Sequence, residues 1–291
     1  MYWGLHGNYQ RTKKEAHCDV DDKDQGLGDC WDHDIIDVAS RAVIVRVHGP
    51  RTAETVQSAM LELKERLAPG YVPGLVTTDE YSPYVEALLT VFGHSYTPPR
   101  APGPGAAKKA VLVPAAELVY AQVDKQRSAT GRIEAVEPRL VFGTPEQLAE
   151  RLESSPASSH VNTAFIERAN GGDRHRNPRK ARKVLSFSKQ GAEHRAVSWL
   201  VMVLGIFCWV PRTLRQTSAM ILGKATHVLT IGEFLHLRPQ GFRPPTAKNI
   251  RAGHTPFHAP DVLPGRLALW PDKRLVQRSF QHLGVNARGL G

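Results

Sequence analysis

Two carboxylates and a run of cations are the residues whose types and spacing suit chemistry. Asp79 closes a short apolar stretch, Leu75-Val76-Thr77-Thr78, and is followed by Glu80 and Tyr81. A side chain just past a strand end can point into the crevice where open α/β sheets bind ligands. Glu167 stands in Asn162-Thr163-Ala164-Phe165-Ile166-Glu167-Arg168, where a helix buries one face and projects Glu167 from its edge. Carboxylates brought together from a strand end and a helix can hold Mg²⁺ or Mn²⁺. Two such ions about 3.5–4 Å apart activate a nucleophile and stabilise the leaving oxygen in phosphoryl transfer. Asp79 and Glu167 are therefore the candidate catalytic and metal-binding residues.

Taken singly, a strand-end Asp is usually a turn former and a helical Glu is usually solvated. The surroundings of Glu167 favour the chemical reading. Arg168, Arg174, Arg176, Arg179, Lys180, Arg182 and Lys183 crowd the segment 168–183, with Asn170 among them. Like charges at that density repel one another, and phosphate oxygens relieve the repulsion. These eight residues are the candidate DNA contacts. A solvated basic helix is the alternative that pattern alone leaves open.

Composition points the same way. The chain of 291 residues carries 38 Lys and Arg against 28 Asp and Glu, a formal charge of +10. That balance favours a polyanionic partner, with nucleic acid ahead of an anionic membrane surface. Cys18, Cys30 and Cys208 are odd in number and contain no C-x-x-C pair, which argues against a disulfide framework and for a reducing cytoplasm. His17, Cys18, Cys30 and His33 could supply a tetrahedral zinc site, although their spacing matches no compact knuckle. The N-terminus has no apolar core of a secretory signal. The apolar run Ala196 to Val210 is shorter than the roughly 20 residues that span a bilayer. A buried helix is expected there, with no membrane partner.

The elements that must position these residues follow from periodicity. Residues 1–29 are polar and read as an irregular entry segment. Trp31–Val38 and Ala42–Val47 read as a hairpin, Thr52–Leu67 as an amphipathic helix stopped by Pro69-Gly70, and Leu75–Thr78 as a strand. Pro83–Phe92 is a helix with proline in its first turn. Residues 97–105 are a proline- and glycine-rich loop, and short strands follow within a β insertion at about 107–143. Pro145–Leu152 is a helix capped by Thr144. From Asn162 to Lys183 the chain is helical and basic, and an apolar helix covers roughly Ala192–Cys208 before a last one at Ile231–Leu235. Residues 239–291 lack periodicity and read as an irregular tail. Strands followed by helices packed on them imply an α/β (α+β) core across 30–238.

The run from His160 through Asn177, HVNTAFIERANGGDRHRN, resembles the final-carboxylate helix of a group of bacterial insertion-sequence transposases of the DDE type. The likeness continues through Arg179-Lys180-Ala181-Arg182-Lys183, Phe187-Ser188-Lys189, His194, Phe207-Cys208-Trp209, Arg212 to Arg215, Thr217 to Met220 and His227-Val228. Upstream, Gly28 to His33, Arg51 to Thr55 and Thr78-Asp79-Glu80-Tyr81 resemble the same domain in the same order.

The resemblance implies an RNase H-like, retroviral-integrase-like core. In it two Asp and one Glu bind Mg²⁺ or Mn²⁺ to cut and join DNA at element ends and target. Asp79 takes the place of the second Asp, and Glu167 that of the Glu. The family's first Asp belongs in a Leu-Asp-Glu-aromatic pattern before Lys-Lys-Glu. Here Lys13-Lys14-Glu15 is present, but Leu5 to Asn8 occupies that place. Asp32 and Asp34 fall on the second strand rather than the first. A separate N-terminal DNA-binding module is likewise expected to be missing. The resemblance and these departures from it thus imply a transposase-like, nucleoid-associated cytoplasmic protein that is truncated and inactive, or active only in complex with an intact relative. It would act as a homo-oligomer or with an intact transposase, or as a non-catalytic DNA-binding remnant that inhibits transposition.

Overall fold

Runs of β-branched and apolar residues become strands and runs of helical period become helices, giving a mixed α/β chain. The computed structural model describes residues 2–11, 19–21, 28–99, 108–181 and 185–236, with 2–11, 127 and 235 as backbone. The expected tail at 239–291 lies outside the described residues, as do Arg182, Lys183, His17 and Cys18. Two compact units emerge, one from Met1–Lys64 with Gly70–Met202 and the other from Glu65–Pro69 with Val203–Gly291.

The first unit is built on a six-stranded sheet of order β3-β2-β1-β4-β7-β8. β1 (Tyr2–Arg11) runs antiparallel to β2 (Asp29–Asp37) and parallel to β4 (Leu75–Asp79). β3 (Ala42–Gly49) pairs antiparallel with β2, β7 (Val119–Arg127) parallel with β4, and β8 (Ile133–Phe142) antiparallel with β7. Parallel neighbours require long crossovers. One contains α1 (Ala53–Arg66); the other contains α2 (Pro83–Phe92) and a separate two-stranded sheet, β5 (Gly93–Tyr96) with β6 (Val111–Pro114).

Two expectations are corrected here. The entry segment holds a strand flanked on both sides, although YWGLHGNYQR carries two glycines and no clean alternation. Pairing with β2 and β4, rather than strand propensity, makes it one. The expected β insertion is mostly not an insertion. β7 and β8 extend the main sheet, because β7 aligns in parallel register with β4 from Leu75↔Val119 to Asp79↔Val123.

The helices fall close to where periodicity puts them. α2 has proline in its first turn, and α3 (Pro145–Glu153) opens with a capping box in which Thr144 and Gln147 satisfy each other's backbone N–H. α2 must stop at Gly93. A Cβ there would lie 2.2 Å from the Leu89 carbonyl oxygen and 2.8 Å from that of Val113.

Register decides which side chains share a face. Ile36, Val38, Leu75 and Val119 form a buried cluster with Ile166 of α4 (Ala164–Arg176), and Phe165, Ala169 and Leu140 pack against it. Each such side chain removed from water contributes about 1.5–3 kcal/mol. α4 is thereby laid against β1 and β2. The opposite face is buried as well, through Ile35, Val45, Val76 and Tyr120. α5 (Gly191–Phe207) buries His194, Ser198, Met202 and Ile206, one residue per turn.

In the second unit, Leu229 N–H donates to the Phe207 carbonyl at 3.3 Å and the Phe207 and Phe234 rings lie 6.3 Å apart. Thr217 caps α6 (Ser218–Ile221), and Thr230 with Glu233 caps α7 (Ile231–His236). Among the described residues no helix is long and apolar enough to cross a membrane.

Candidate functional site

Asp79 is the last residue of β4, and Glu167 lies in the first turn of α4. Leu75, Thr77 and Asp79 alternate onto the sheet face that α4 covers, and so do Val119, Ala121, Val123 and Lys125 of β7. Two contacts bring the start of α4 to this edge. The Thr77 hydroxyl donates to the Asn162 carbonyl at 3.5 Å, and Lys125 forms an ion pair with Glu167. Glu167 also accepts a 2.8 Å hydrogen bond from the Thr163 hydroxyl. Both predicted carboxylates therefore share one sheet face near the carboxyl end of β4. Asp79 accepts from the Tyr81 N–H at 3.4 Å.

On the flank of β4 away from β7 lies β1, whose pairing with β4 ends one residue short of Asp79. Leu5 pairs with Thr78 across one flank, and His6 pairs with Asp34 across the other. The β1 position abreast of Asp79 is therefore His6.

The predicted basic contacts divide. Arg168 and Arg176 are exposed and Arg174 is half-buried, while Arg179 is paired with Glu193 at 3.4 Å. Two residues leave the set. Lys180 is buried, its ammonium paired with Asp32 and, at 2.5 Å, with Asp173. Asn170 is 1% exposed, on the sheet-facing side of α4 between Ile166 and Asp173, and its amide has no partner among the described residues. Neither can reach a phosphate from inside the fold.

Lys180 leads instead to a buried network that the sequence reading missed. Asp32 and Asp34 of β2 lie opposite His48 and Arg46 of β3. Arg46 grips Asp34 with two hydrogen bonds, 2.7 Å from Nε to Oδ1 and 2.6 Å from Nη2 to Oδ2. Its remaining donors reach the Ser198 carbonyl at 2.9 Å and Asp173 at 3.3 Å. Asp32 Oδ1 takes hydrogen bonds from His48 Nδ1 at 2.6 Å and His194 Nε2 at 2.7 Å. The two imidazoles meet edge to face, 5.3 Å apart. Strands β2 and β3, helices α4 and α5 and the 3₁₀ turn Pro178–Lys180 all contribute.

Burial pushes the Asp32 carboxyl up, but hydrogen bonds from His194 and His48 and the charge of Lys180 outweigh it and hold it well below the usual range. Burial pushes His48 down against the pull of Asp32. Burial would also lower Arg46, yet Asp34 more than compensates and its pKa is raised. One signal could have revealed this network. Asp32 and Asp34 recur with period two inside a strand otherwise apolar enough to be buried on both faces, and Arg46 with His48 does the same on β3.

Two donor sets invite a metal test. Asp32, His48 and His194 present ligand atoms within 4.8 Å of one another. Ligands about 2.0–2.1 Å from a tetrahedral ion stand roughly 3.3 Å apart. The observed 2.6 and 2.7 Å are hydrogen-bond separations, and an ammonium already sits on the same carboxylate. This cluster is a hydrogen-bonded charge network. The zinc set weighed from sequence is also broken. Cys30 and His33 are three residues apart on β2 and so point to opposite faces.

Asp79 and Glu167 offer oxygen donors of the kind Mg²⁺ takes. Two carboxylates countered by the Lys125 ammonium nevertheless do not fit a two-metal centre. Asp32 and Asp34 do not complete it, because both are committed to buried cations on β2's own side.

No family model, curated protein or solved structure matches the chain.

Proposed function

We propose that this chain is a DNA-binding protein of DDE-transposase type whose phosphodiester chemistry is silenced. The observation that carries the reading is that Asp79 ends β4 on the sheet face covered by α4, whose first turn carries Glu167 and whose exposed side displays Arg168 and Arg176. The strand order supports it. Three antiparallel strands, β3-β2-β1, followed by β4 and β7 in parallel, form the arrangement expected of an RNase H-like core, with β8 added at the edge. In that arrangement the first catalytic carboxylate belongs on β1 beside the end of β4, and His6 holds the position. Two carboxylates, one of them already countered by the Lys125 ammonium, lack the charge to gather a pair of hard divalent ions. Binding without cutting is the consequence, which favours the inhibitory remnant over the working transposase.

The test is a cleavage and strand-transfer assay on supercoiled plasmid and element-end DNA with Mg²⁺, Mn²⁺ or EDTA. Wild type, Asp79→Asn and Glu167→Gln should all bind DNA in a salt-sensitive way and yield no products. Metal-dependent products from wild type that disappear in both variants would show a working nuclease and overturn the silencing. Absence of DNA binding at low salt would remove the reading altogether.

A further inference from the structure

Lys125 enters the reading above only as the ion-pair partner of Glu167, yet it occupies a telling position at the site. It follows Val123, the partner of Asp79, by two residues on β7 and so returns to the same face. Its stem is largely covered, and its ammonium reaches Glu167 on the same carboxylate oxygen that the Thr163 hydroxyl bonds at 2.8 Å. One oxygen of Glu167 thus has two donors before any ion arrives.

Resting on the function proposed above, we propose that Lys125 is the resident counter-ion of this site. Its tethered ammonium supplies at Glu167 the positive charge that a divalent ion would supply, and it keeps such an ion out. A cation on the chain needs no capture from solution, so its local concentration is fixed by the strand that carries it. A divalent ion approaching Glu167 meets a like charge a few ångströms away. Expelling the ammonium would expose Glu167 Oε1, while accepting it beside the ion incurs direct repulsion. A unit charge about 5 Å from a divalent ion in water weakens binding roughly ten-fold. Screening by salt reduces the effect at this half-exposed pair.

The experiment is a Mn²⁺ titration of the full chain followed by the electron paramagnetic resonance signal of free Mn²⁺. The proteins are wild type, Lys125→Gln, Lys125→Arg and the double variant Lys125→Gln/Glu167→Gln. Lys125→Gln should bind one Mn²⁺ about ten-fold more tightly than wild type. Lys125→Arg, which keeps the charge, should match wild type, and the double variant should lose the gain. Equal Mn²⁺ affinity in wild type and Lys125→Gln would overturn the assignment, as would a gain that survives Glu167→Gln. Duplex-DNA binding in EDTA on the same samples separates this from the functional reading. The expected Mn²⁺ pattern without DNA binding upholds the counter-ion and removes the function; DNA binding with an unchanged Mn²⁺ affinity does the reverse.

Discussion

At the residue scale, the cost of burying charge governs what Lys180 can do. Its side chain is fully buried between Asp32 and Asp173, so deleting it leaves two carboxylates without that cation in a dry interior. Lys180→Met should cost about 3–5 kcal/mol in urea unfolding. Lys180→Met/Asp32→Asn should cost clearly less than the two single changes summed, because the second removes a charge the first has stranded. Simple additivity would mean that the network is not coupled.

His48 makes the same network sensitive to acid, and buried His33 on the other face of β2 adds to the effect. Burial pushes both His48 and His33 down, so they stay neutral in the folded chain while unfolded histidines protonate near pH 6.5. The unfolded chain then binds more protons, and stability falls as pH drops through about 6.5 towards the lowered native values. Asp32 adds a second loss further down. Its contribution is full above about pH 3.9 and disappears as pH falls through its depressed native value. Asp37, pushed up by burial, has the opposite sign and acts above about pH 3.9, up to its raised native value. Calorimetric melting should show a Tm that falls as pH is lowered from about 8 to about 5, with a flatter slope in His48→Gln. An identical slope in that variant would exclude His48 as a source.

At the element scale, α4 and the 3₁₀ turn that follows it hold two kinds of basic residue, facing outward and inward. Arg168, Arg174 and Arg176 are at least partly open to solvent, whereas Lys180, just past the helix end, is folded inward. Replacing any of the three arginines by alanine should lower the salt dependence of duplex binding by about 0.9 in log–log slope. Lys180→Met should leave that slope unchanged even where it lowers stability. Fluorescence anisotropy over a range of salt distinguishes them.

Elements were legible where local chemistry decides. Pro83, Pro145 and Thr144 mark helix starts, and apolar spacing marks α1 and α5. β1 was not legible, since its two glycines and polar residues become a strand through neighbours far away in sequence. The site divides in the same manner. Asp79 and Glu167 announce themselves by their local context. His194 meets Asp32 across a long stretch of chain, and Lys180 looks in sequence like one more cation in a basic run.

On the scale of the whole molecule, the net charge of +10 supplies a general attraction for polyanions, and folding decides which cations deliver it. Some basic side chains are spent inside the first unit, holding β2 and β3 to α4 and α5 through Arg46 and Lys180. Others remain outside. Overall charge therefore overstates the cations available to a phosphate backbone.

The outer strand of the sheet has a bearing on how copies of the chain meet. β8 carries Pro138 opposite Val123 and breaks register twice along its pairing with β7. A proline has no N–H to give, and each bulge bends the strand away from a flat ladder. A second copy laid alongside would find a template with gaps, so continuous β-zippering through this rim is disfavoured. Fibrillar stacking and strand-exchanged dimers are thereby discouraged at this border of the sheet.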